Sequence, residues 1–350
     1  MKRFMTECMV KVGSNPDHAQ QLADLLTYAD QRGHYSHGVN RLHIYVRDVK
    51  VNATTGDGTP KILKQKGCTA WVDGQNLLGV VVGNFCTDLA IKLAKEHGVG
   101  WVVANGSNHF GAAGYYSTRC AAEGLVGMSF TNASPTTFPT RAGEKGIGNN
   151  PLSFIAEGEN GDGFALDMAC STVAYGKVEV ERRLGHKTIP NSWGVDSNGH
   201  ETTDPEAVVN GGGLTPLGGH EATGGYKGSG IAMMVEIICG VLGGAAIGKN
   251  IRNWQNTTVI ANLGQCFVAV DPECFADGFH HRLQKFIDET RGLKPADPKL
   301  PVLVAGDPER AFIKKSQENG GLVYPSTYVG NLNDLANELG IKPCHFDKIH

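Results

Sequence analysis

The spacing of apolar residues predicts a helix close to the start of the chain. The segment 14–16, SNP, offers a capping side chain and a proline suited to the first helical turn. After it, apolar residues recur three or four positions apart, at Ala19, Leu22, Ala23, Leu26 and Ala29. This spacing places them on one face of a helix, so we predict an amphipathic helix that reaches about residue 30. A second helix is predicted over 41–49, after the polar loop 33–40.

From residue 71 onward, helical and extended patterns alternate. The apolar positions predict helices over 86–97, 111–123 and 173–183, and strands over 99–104, 125–131 and 164–168. Near the end of the chain they predict a strand over 265–270 and helices over 275–291, 309–318 and 332–339. This alternation favours an α/β protein built in layers, in which ligands bind beyond the carboxyl ends of the strands.

The segment 231–247 is apolar enough to resemble a membrane span. It is shorter than the ~20 residues that a bilayer requires, and Glu236 lies near its middle. We therefore interpret it as a helix packed deep inside the protein, and we expect no membrane partner.

The composition excludes several classes of protein. The chain has 350 residues, of which 47 are glycine, without the G-X-Y repeat of collagen. A hydrophobic fraction of 41% with 19% charged residues excludes a disordered chain. The net charge of -3 comes without a basic cluster, so no nucleic-acid partner is expected. The glycines then indicate turns and places where the backbone comes close to a bound molecule, as in an enzyme.

The cysteines indicate the cellular compartment in which the protein is expected to function. There are 9 of them, scattered along the chain, with no C-x-x-C and no spacing typical of a zinc site. We expect reduced, mostly buried thiols and no metal. Because the first ten residues, MKRFMTECMV, hold no apolar signal segment, we expect a cytoplasmic protein.

The common nucleotide-binding and hydrolase motifs do not occur. The sequence has no G-x-G-x-x-G, no G-x-S-x-G and no H-E-x-x-H. The segment 243–250, GGAAIGKN, half-matches a P-loop, but it lacks the Ser/Thr that would hold Mg²⁺ and it follows a helix. A dinucleotide, if bound, is therefore not bound through the Rossmann fingerprint.

Two segments place a histidine in a setting suited to chemistry. In SHGVNR, 36–41, His37 could exchange protons while Arg41 holds a carboxylate in its planar fork. In SNHFGAAG, 107–114, His109 follows a predicted strand and precedes a helix whose first amides could face an anion. The structural alternatives are hydrogen bonds that fix the first loop and a helix cap provided by Asn108.

Two further segments are weaker candidates. Asp167, Met168 and Ala169 follow a predicted strand, where the acid could take a ribose hydroxyl, orient a histidine or merely cap the next helix. In GGYKGSG, 224–230, the glycines permit close backbone approach and Lys227 could meet a phosphate, or the segment is simply a flexible loop.

Taken together, these segments resemble a known family. The ordered set SHGVNR, SNHFGAAGY, GNNPLSF, DMACSTVAYGK and GGYKGSG is similar to the malate/L-lactate dehydrogenase family, which is unrelated to the Rossmann-fold enzymes. That family includes ureidoglycolate and sulfolactate dehydrogenases and diketogulonate reductase, and the resemblance extends from about 14 to 340.

The resemblance implies a fold and an assembly. It implies a mixed α/β (α+β) protein with the sulfolactate-dehydrogenase-like fold and a non-Rossmann NAD-binding domain at 73–250. A helical domain is then built from both chain ends, 1–72 and 251–350. It also implies a homodimer with the active site near the subunit interface.

The resemblance also implies roles for individual residues. His37 and His109 are both candidates for proton transfer; position favours His109, and the choice stays open. Arg41 and Ser36 are expected to bind the carboxylate of a 2-hydroxy or 2-oxo acid. The expected contacts to NAD or NADP come from Phe110, Gly111, Ala112, Ala113, Thr131, Ser134, Asp167, Met168, Ala169, Tyr226, Lys227, Gly306, Asp307 and Pro308.

Three functions fit these features. The first is NAD(P)-dependent oxidation of a small 2-hydroxy acid, with malate or lactate foremost. The second is NADPH-dependent reduction of a cyclic imine acid or a diketo acid on the same fold. The third is a binding protein without activity, against which the presence of both histidines and Arg41 argues.

Overall fold

The structure is a computed structural model that describes residues 1–254 and 256–346. Its helices are α1 Lys2–Lys11, α2 Pro16–Gln31, α3 Leu42–Lys50, α4 Gly79–His97, α5 Gly114–Ala121, α6 Tyr175–Arg183, α7 Pro205–Val209, α8 Gly225–Glu236, α9 Phe279–Arg291, α10 Asp307–Glu318 and α11 Ser326–Leu339. Its strands are β1 Lys61–Lys66, β2 Thr69–Asp73, β3 Val99–Ser107, β4 Val126–Thr131, β5 Leu152–Glu157, β6 Gly163–Met168, β7 Gly194–Val195, β8 Glu201–Thr202, β9 Gly213–Leu214 and β10 Leu263–Val270.

Most of the predicted elements are confirmed, and local capping explains their ends. The Asn15 side chain accepts a hydrogen bond from the backbone N–H of Asp17, and Pro16 occupies the first turn of α2. Gly98 ends α4 in the left-handed conformation, with φ of +83°. Helix α4 begins at Gly79, earlier than predicted, and α9 begins at Phe279, later than predicted.

A seven-stranded mixed sheet forms the centre of the molecule, in the order β1-β2-β3-β10-β4-β5-β6. The pair β2–β3 is parallel, whereas β10 is antiparallel to both β3 and β4, and β5 is antiparallel to both β4 and β6. Consequently β2, β3, β4 and β6 all run in the same direction. Their carboxyl ends lie along one edge of the sheet, where the alternating pattern predicted ligands.

The strands bury both faces of this sheet. On β3, Val102 and Ala104 face the large core formed with α4 and α5, whereas Val103 faces the second core with α8. On β10, Phe267 belongs to the first core and Cys266 to the second. Successive residues of a strand point to opposite faces, so continuous apolar strands need a helical layer on each side.

The two chain ends pack together, as the two-part organisation predicts. Tyr324 reaches Asp30 on α2, and Lys50 pairs with Glu338 on α11. However, β1 and most of β2 lie within 1–72, and β10 lies within 251–350. All three strands nevertheless belong to the central sheet. The division into two domains at those boundaries stays a prediction, and the sheet requires 263–270 to be counted with the α/β part.

The apolar segment 231–247 is not packed as deeply as predicted. It continues α8 through a π-helical turn, Ile237–Val241, and only one side is buried. On the opposite side, Ile237 is 57% and Leu242 61% exposed. The prediction is wrong for this side, because composition alone does not tell a buried helix from one with an exposed apolar stripe. No helix in the described ranges has the length and hydropathy needed to cross a bilayer.

Several elements of the described structure were not predicted: α1, β2, β5, α7 and the short strands β7, β8 and β9. Helix α1 carries the buried residues Phe4, Met5, Cys8 and Met9 at helical spacing. Strand β5 coincides with the end of the GNNPLSF segment. The short strands β7, β8 and β9 form a separate three-stranded sheet, in which each strand has only two residues, too few to show a period.

The carboxylate of Glu236 joins three loops at the ligand edge of the sheet. It is buried and accepts hydrogen bonds from Asn132 Nδ2, Asn150 Nδ2 and the backbone N–H of Gly248. The same Asn150 amide also donates to the carbonyl of Ala232 on α8. A charged group in the middle of an apolar segment is therefore explained by the donors that surround it.

We predict that Glu236→Ala lowers the free energy of unfolding by about 2 kcal/mol, because it leaves buried donors without an acceptor. Denaturant titration of the purified variant measures this change. The matched control is Glu318→Ala at the exposed end of α10, which we expect to be neutral. Equal stability of the two variants would contradict the prediction.

Candidate active site

Two histidines from distant parts of the chain meet at the ligand edge of the sheet. The rings of His37 and His109 are stacked, with centroids 5.9 Å apart and planes inclined by 21°. Arg41 lies close enough for its charge to lower the pKa of both rings. The two segments that the sequence singles out for proton transfer therefore form one site.

His109 is placed by the two residues before it. Ser107, the last residue of β3, donates from Oγ to Gln265 Oε1 on β10 at 2.8 Å, and Gln265 Nε2 donates to the Asn108 carbonyl at 2.8 Å. The buried Asn108 amide donates to the carbonyl of Leu77, so Asn108 fixes this loop against another loop and does not cap α5. His109 is consequently held at the end of a fixed loop, where protein atoms surround the ring although solvent still reaches the residue.

His37 and Arg41 lie in two short 3₁₀ turns between α2 and α3, Tyr35–His37 and Val39–Arg41. Arg41 Nε donates to the carbonyl of Ser36 at 2.6 Å, which fixes the guanidinium within its own loop. The Ser36 hydroxyl lies 3.0 Å from His37 Nδ1. These contacts order the loop, so the structural interpretation of SHGVNR holds, and it is compatible with a chemical role.

Tyr45 on α3 orients the His109 ring by a contact to Nδ1, one of its two nitrogens. Its hydroxyl is 2.6 Å from His109 Nδ1, and the backbone N–H of Gly111 donates to the same nitrogen at 3.3 Å. The Gly111 contact favours the neutral ring with its hydrogen on Nε2, where it can donate to a substrate oxygen. To take a proton at Nε2, the ring must carry its hydrogen on Nδ1, and the Tyr45 hydroxyl can accept that hydrogen. Because Tyr45 and Gly111 occupy Nδ1, Nε2 is the nitrogen that can exchange a proton with a substrate oxygen.

Burial and positive charge keep both rings neutral. Loss of hydration is the main cause that lowers the pKa of His37 to about 3, with smaller contributions from His109 and Arg41. The pKa of His109 is lowered to about 4, again mainly because protein atoms surround the ring and then because of Arg41. At pH 7 both rings are thus unprotonated, which is the form that can accept a proton.

Tyr45 and Trp254 contact His109 and Arg41, and neither was predicted from the sequence as a site residue. Tyr45 lies four residues after Arg41 on a predicted helix, a spacing that puts both residues on one face and that could have identified it. Trp254 comes from the loop before β10, and its ring lies 5.0 Å from the guanidinium carbon of Arg41. No local pattern predicts the second contact, because these residues are far apart in the sequence.

The residues after β4 and β6 lie along the same edge, but their side chains are already bonded within the protein. Thr131 is buried, with its hydroxyl donating to the carbonyl of Asn132, and Ser134 donates to the carbonyl of Arg252. Asp167 accepts from the backbone N–H of Gly114, the first residue of α5, at 2.8 Å. It thereby caps α5, which is one of the roles foreseen for it, although on a different helix from the expected one.

The segment after His109 packs into the core. Phe110 stacks on Tyr116 with ring centroids 4.8 Å apart, and Ala113 is buried with it. A Cβ added at Gly111, where φ is +75°, would lie 2.6 Å from Leu25 Cδ2. Ala112 is also buried. Contacts of 110–113 with a cofactor would therefore be made mainly by the backbone.

Two further sets of predicted residues lie at the starts of α8 and α10. Tyr226 and Lys227 are exposed in the first turn of α8, and Lys227 forms no ion pair within the described part of the chain. The Asp307 carboxylate is bound by Arg291 at 2.6 Å and by Arg310 at 2.7 Å. The backbone N–H of Ala165 on β6 donates to the carbonyl of Ala305, so segment 305–308 runs beside β6. Met168 is the last residue of β6, and Ala169 follows it.

These observations allow a test of the expected cofactor. An exposed lysine without a carboxylate partner at a helix N-terminus suits a phosphate group. The amide of Gly114 is already taken by Asp167, so the start of α5 provides less anion binding than predicted. At 306–308, Gly306 has φ of +98° and Asp307 is neutralised by two arginines, which leaves backbone and Pro308 for contact. The residues present fit a phosphate-bearing cofactor with Lys227 as its cation.

Comparison with known proteins finds relatives along almost the whole chain. A profile of the family described as malate/L-lactate dehydrogenase matches residues 1–333. The malate dehydrogenase of Pyrococcus horikoshii is 35% identical over 97% of this chain and 94% of its own. The NAD(+)-dependent ureidoglycolate dehydrogenase of Escherichia coli K12 is 30% identical over 93% of this chain and 91% of its own. The structure of the sulfolactate dehydrogenase of Methanocaldococcus jannaschii superposes with a TM-score of 0.88 at 32% identity, over 97% of this chain and 96% of that one.

The chain belongs to the malate/L-lactate dehydrogenase family. Its fold is the mixed α/β fold of the malate and sulfolactate dehydrogenase structures, which confirms the predicted fold class. It is an oxidoreductase of the family that acts on hydroxy acids.

We predict that Arg41→Met raises the pKa of His109 by about one unit, because the nearby positive charge that opposes protonation is gone. The pKa of His37 should rise for the same reason. NMR titration of ¹⁵N-labelled imidazoles measures both values. Arg119→Met, on α5 and paired with Asp88, is the matched control and should change neither pKa. Unchanged values in the Arg41 variant would show that its charge does not reach the rings.

Proposed function

We propose that this protein is an NAD(P)-dependent dehydrogenase that interconverts a small 2-hydroxy acid and the corresponding 2-oxo acid. The observation that carries the proposal is the stacked pair His37 and His109 beside Arg41. Malate, ureidoglycolate and sulfolactate, after which the relatives are named, share one unit, a carboxylate next to a carbon that bears a hydroxyl group. The site offers one group for each part of that unit.

Arg41 binds the carboxylate. Its Nε is held by the Ser36 carbonyl, so the two terminal nitrogens of the guanidinium are directed away from the loop. A planar fork of this kind matches both oxygens of a carboxylate. The ring of Trp254 beside Arg41 shields the charge from water on one side, which strengthens the interaction.

His109 exchanges the proton of the hydroxyl group. In oxidation, a histidine takes this proton as the C2–O bond becomes a carbonyl; in reduction, the protonated ring returns it. Tyr45 can donate to His109 Nδ1 or accept from it, so it supports the ring in both protonation states. His37 stacks on the same ring and is the second candidate for this role.

When bound, the nicotinamide cofactor would supply the hydride chemistry at C2 of the acid. Lys227 and Tyr226 are proposed to contact its phosphates, with the loops after β3, β4 and β6 and segment 306–308 around it. The name of the E. coli relative favours NAD, and NADP is the alternative. Reduction of a cyclic imine acid or a diketo acid is the alternative reaction.

A substrate panel tests the proposal. Purified protein is titrated with NADH and NADPH by fluorescence, and then assayed with malate, lactate, sulfolactate and ureidoglycolate using both cofactors. Reduction of a diketo acid and of a cyclic imine acid completes the panel. We expect 2-hydroxy acid oxidation with NAD, foremost of malate or lactate. If neither cofactor binds, both enzymatic proposals fail.

We predict that His109→Ala and His37→Ala each lower kcat by ~10²- to 10⁴-fold, as expected when a proton-transfer group is removed. His43→Ala on α3 is the matched control, since this neighbouring histidine is exposed and lies outside the stacked pair. Steady-state kinetics of the three variants are compared under identical conditions. Near-normal turnover in either site variant would remove that histidine from the proton-transfer role.

We also propose that the protein is a cytoplasmic homodimer. The nine cysteines are all free thiols, and seven of them are buried, which agrees with a reducing compartment. The exposed stripe Met233, Met234, Ile237, Val241 and Leu242 gives an apolar face that a second copy could cover. Because α8 also carries Tyr226 and Lys227, a dimer through this face would place the site near the subunit interface.

We predict that Ile237→Asp shifts the protein from dimer to monomer, because the interface would bury an unpaired charge. Sedimentation equilibrium gives the mass directly. Leu293→Asp, at a residue that is 61% exposed outside this stripe, should leave the dimer intact. A dimer of undiminished affinity in the Ile237 variant would place the interface elsewhere.

A further inference from the structure

Asp30, one residue before the end of α2, is a completely buried carboxylate that forms no ion pair with any residue of the described ranges. Its Oδ2 accepts hydrogen bonds from the backbone N–H of Val39 at 3.1 Å and from the hydroxyl of Tyr324 at 2.8 Å. Its Oδ1 is buried and has no hydrogen-bond partner within the described ranges. Only one oxygen of Asp30 is therefore hydrogen-bonded, in contrast to the buried carboxylate of Glu236, which accepts hydrogen bonds on both oxygens.

A carboxylate in such surroundings destabilises the folded protein. Burial raises the pKa of Asp30 to about 6, although the bonds from Val39 and Tyr324 act in the opposite direction. The other groups around it are the phenols of Tyr35 and Tyr328, which offer no positive charge. An apolar residue at this position would stabilise the fold more than a carboxylate does. The presence of the carboxylate is therefore explained by the segments to which it is hydrogen-bonded.

The carboxylate holds the backbone between the two substrate-binding groups. Val39 and Gly38 connect His37 to Arg41, and Val39 is bonded to Asp30 directly. Gly38 is in contact with the same side chain, since a Cβ added there would lie 1.7 Å from Oδ1. The loop has short-range bonds of its own, but those do not fix its position relative to α2.

Tyr324 ties the same carboxylate to the C-terminal part of the chain. Its ring packs edge-on against Tyr35, with centroids 5.8 Å apart, and the Tyr35 hydroxyl donates to the carbonyl of Val323 at 3.0 Å. The segment 323–324, the loop 35–39 and α2 thus meet at Asp30. Three elements far apart in the sequence are joined by one acceptor.

We propose that Asp30 is a positioning residue, which holds His37 and Arg41 at the distance from His109 that proton transfer requires. The proposal rests on the function proposed above and deepens it. A shift of about 1 Å in such a loop is enough to lower turnover by about 100-fold, whereas the fold itself does not need this bond. Activity and stability should therefore respond differently when Asp30 is replaced.

Four variants test this. Asp30→Ala removes the acceptor, Asp30→Asn keeps an oxygen for both donors, Tyr324→Phe removes one donor, and Tyr328→Phe is the matched control because it makes no hydrogen bond to Asp30. We expect Asp30→Ala to lower kcat/KM by about 100-fold and Tyr324→Phe by about 10-fold. Asp30→Asn and the control should stay within about 5-fold of the wild type.

A second measurement does not depend on activity. Hydrogen–deuterium exchange of the peptide 34–41 should be faster in Asp30→Ala and Tyr324→Phe, and unchanged in Asp30→Asn, while α4 and β3 keep their protection. Wild-type kcat/KM in Asp30→Ala, or equal losses in Asp30→Ala and Asp30→Asn, would overturn the proposal. If Asp30→Ala does not fold, Tyr324→Phe compared with Tyr328→Phe decides. A wild type without activity on the whole panel would refute the proposed function, and the exchange data would still test the role of Asp30.

Discussion

The site depends on the position of β10 between β3 and β4. Because β10 is antiparallel to both neighbours, β3 and β4 run in the same direction, and the loops that follow them leave the sheet at the same edge. The first residues of β10 also connect these loops: Gln265 donates to the carbonyl of Asn108, and Gly264 donates to Asn132 Oδ1. His109 is thus held by a strand that comes much later in the chain. Gln265 and Asn108, which form this bond, are 157 residues apart in the sequence.

The electrostatics of the site follow from the same arrangement. The stacked His37 and His109 are surrounded by protein atoms that reduce their hydration, and Arg41 adds a positive charge beside them. Both effects favour the neutral rings, which suits proton removal from a hydroxyl group. A bound carboxylate would neutralise Arg41 and bring the pKa of the rings back toward neutrality. Substrate binding would then make the return of the proton easier, so in the proposed function one arginine would serve both substrate binding and proton exchange.

Much of this could be predicted from the sequence, for reasons that are local. The helices α2 and α3 and the strand β3 show their period over many residues, and SHGVNR and SNHFGAAG carry residue types whose chemistry is specific. The contacts of Tyr45 and Trp254, by contrast, arise from tertiary packing. The exposed side of the segment 231–247 was mistaken for core because hydropathy counts apolar residues and does not report which face they cover. The two-residue strands β7, β8 and β9 are too short to show any period.

The number of hydrogen-bond donors around a buried carboxylate indicates whether that carboxylate stabilises the fold or serves the function of the protein. Glu236 has three donors shared over both oxygens, and these donors belong to segments that would otherwise have unsatisfied polar groups in the core. Its burial is explained by folding alone. Among the residues that the structure describes, Asp30 has two donors on one oxygen and none on the other, so its burial destabilises the fold. The donors of Glu236 join loops at the sheet edge, whereas those of Asp30 belong to the loop that carries His37 and Arg41 and to segment 323–324. A destabilising group retained at such a point is most simply explained by the geometry that it imposes on His37 and Arg41.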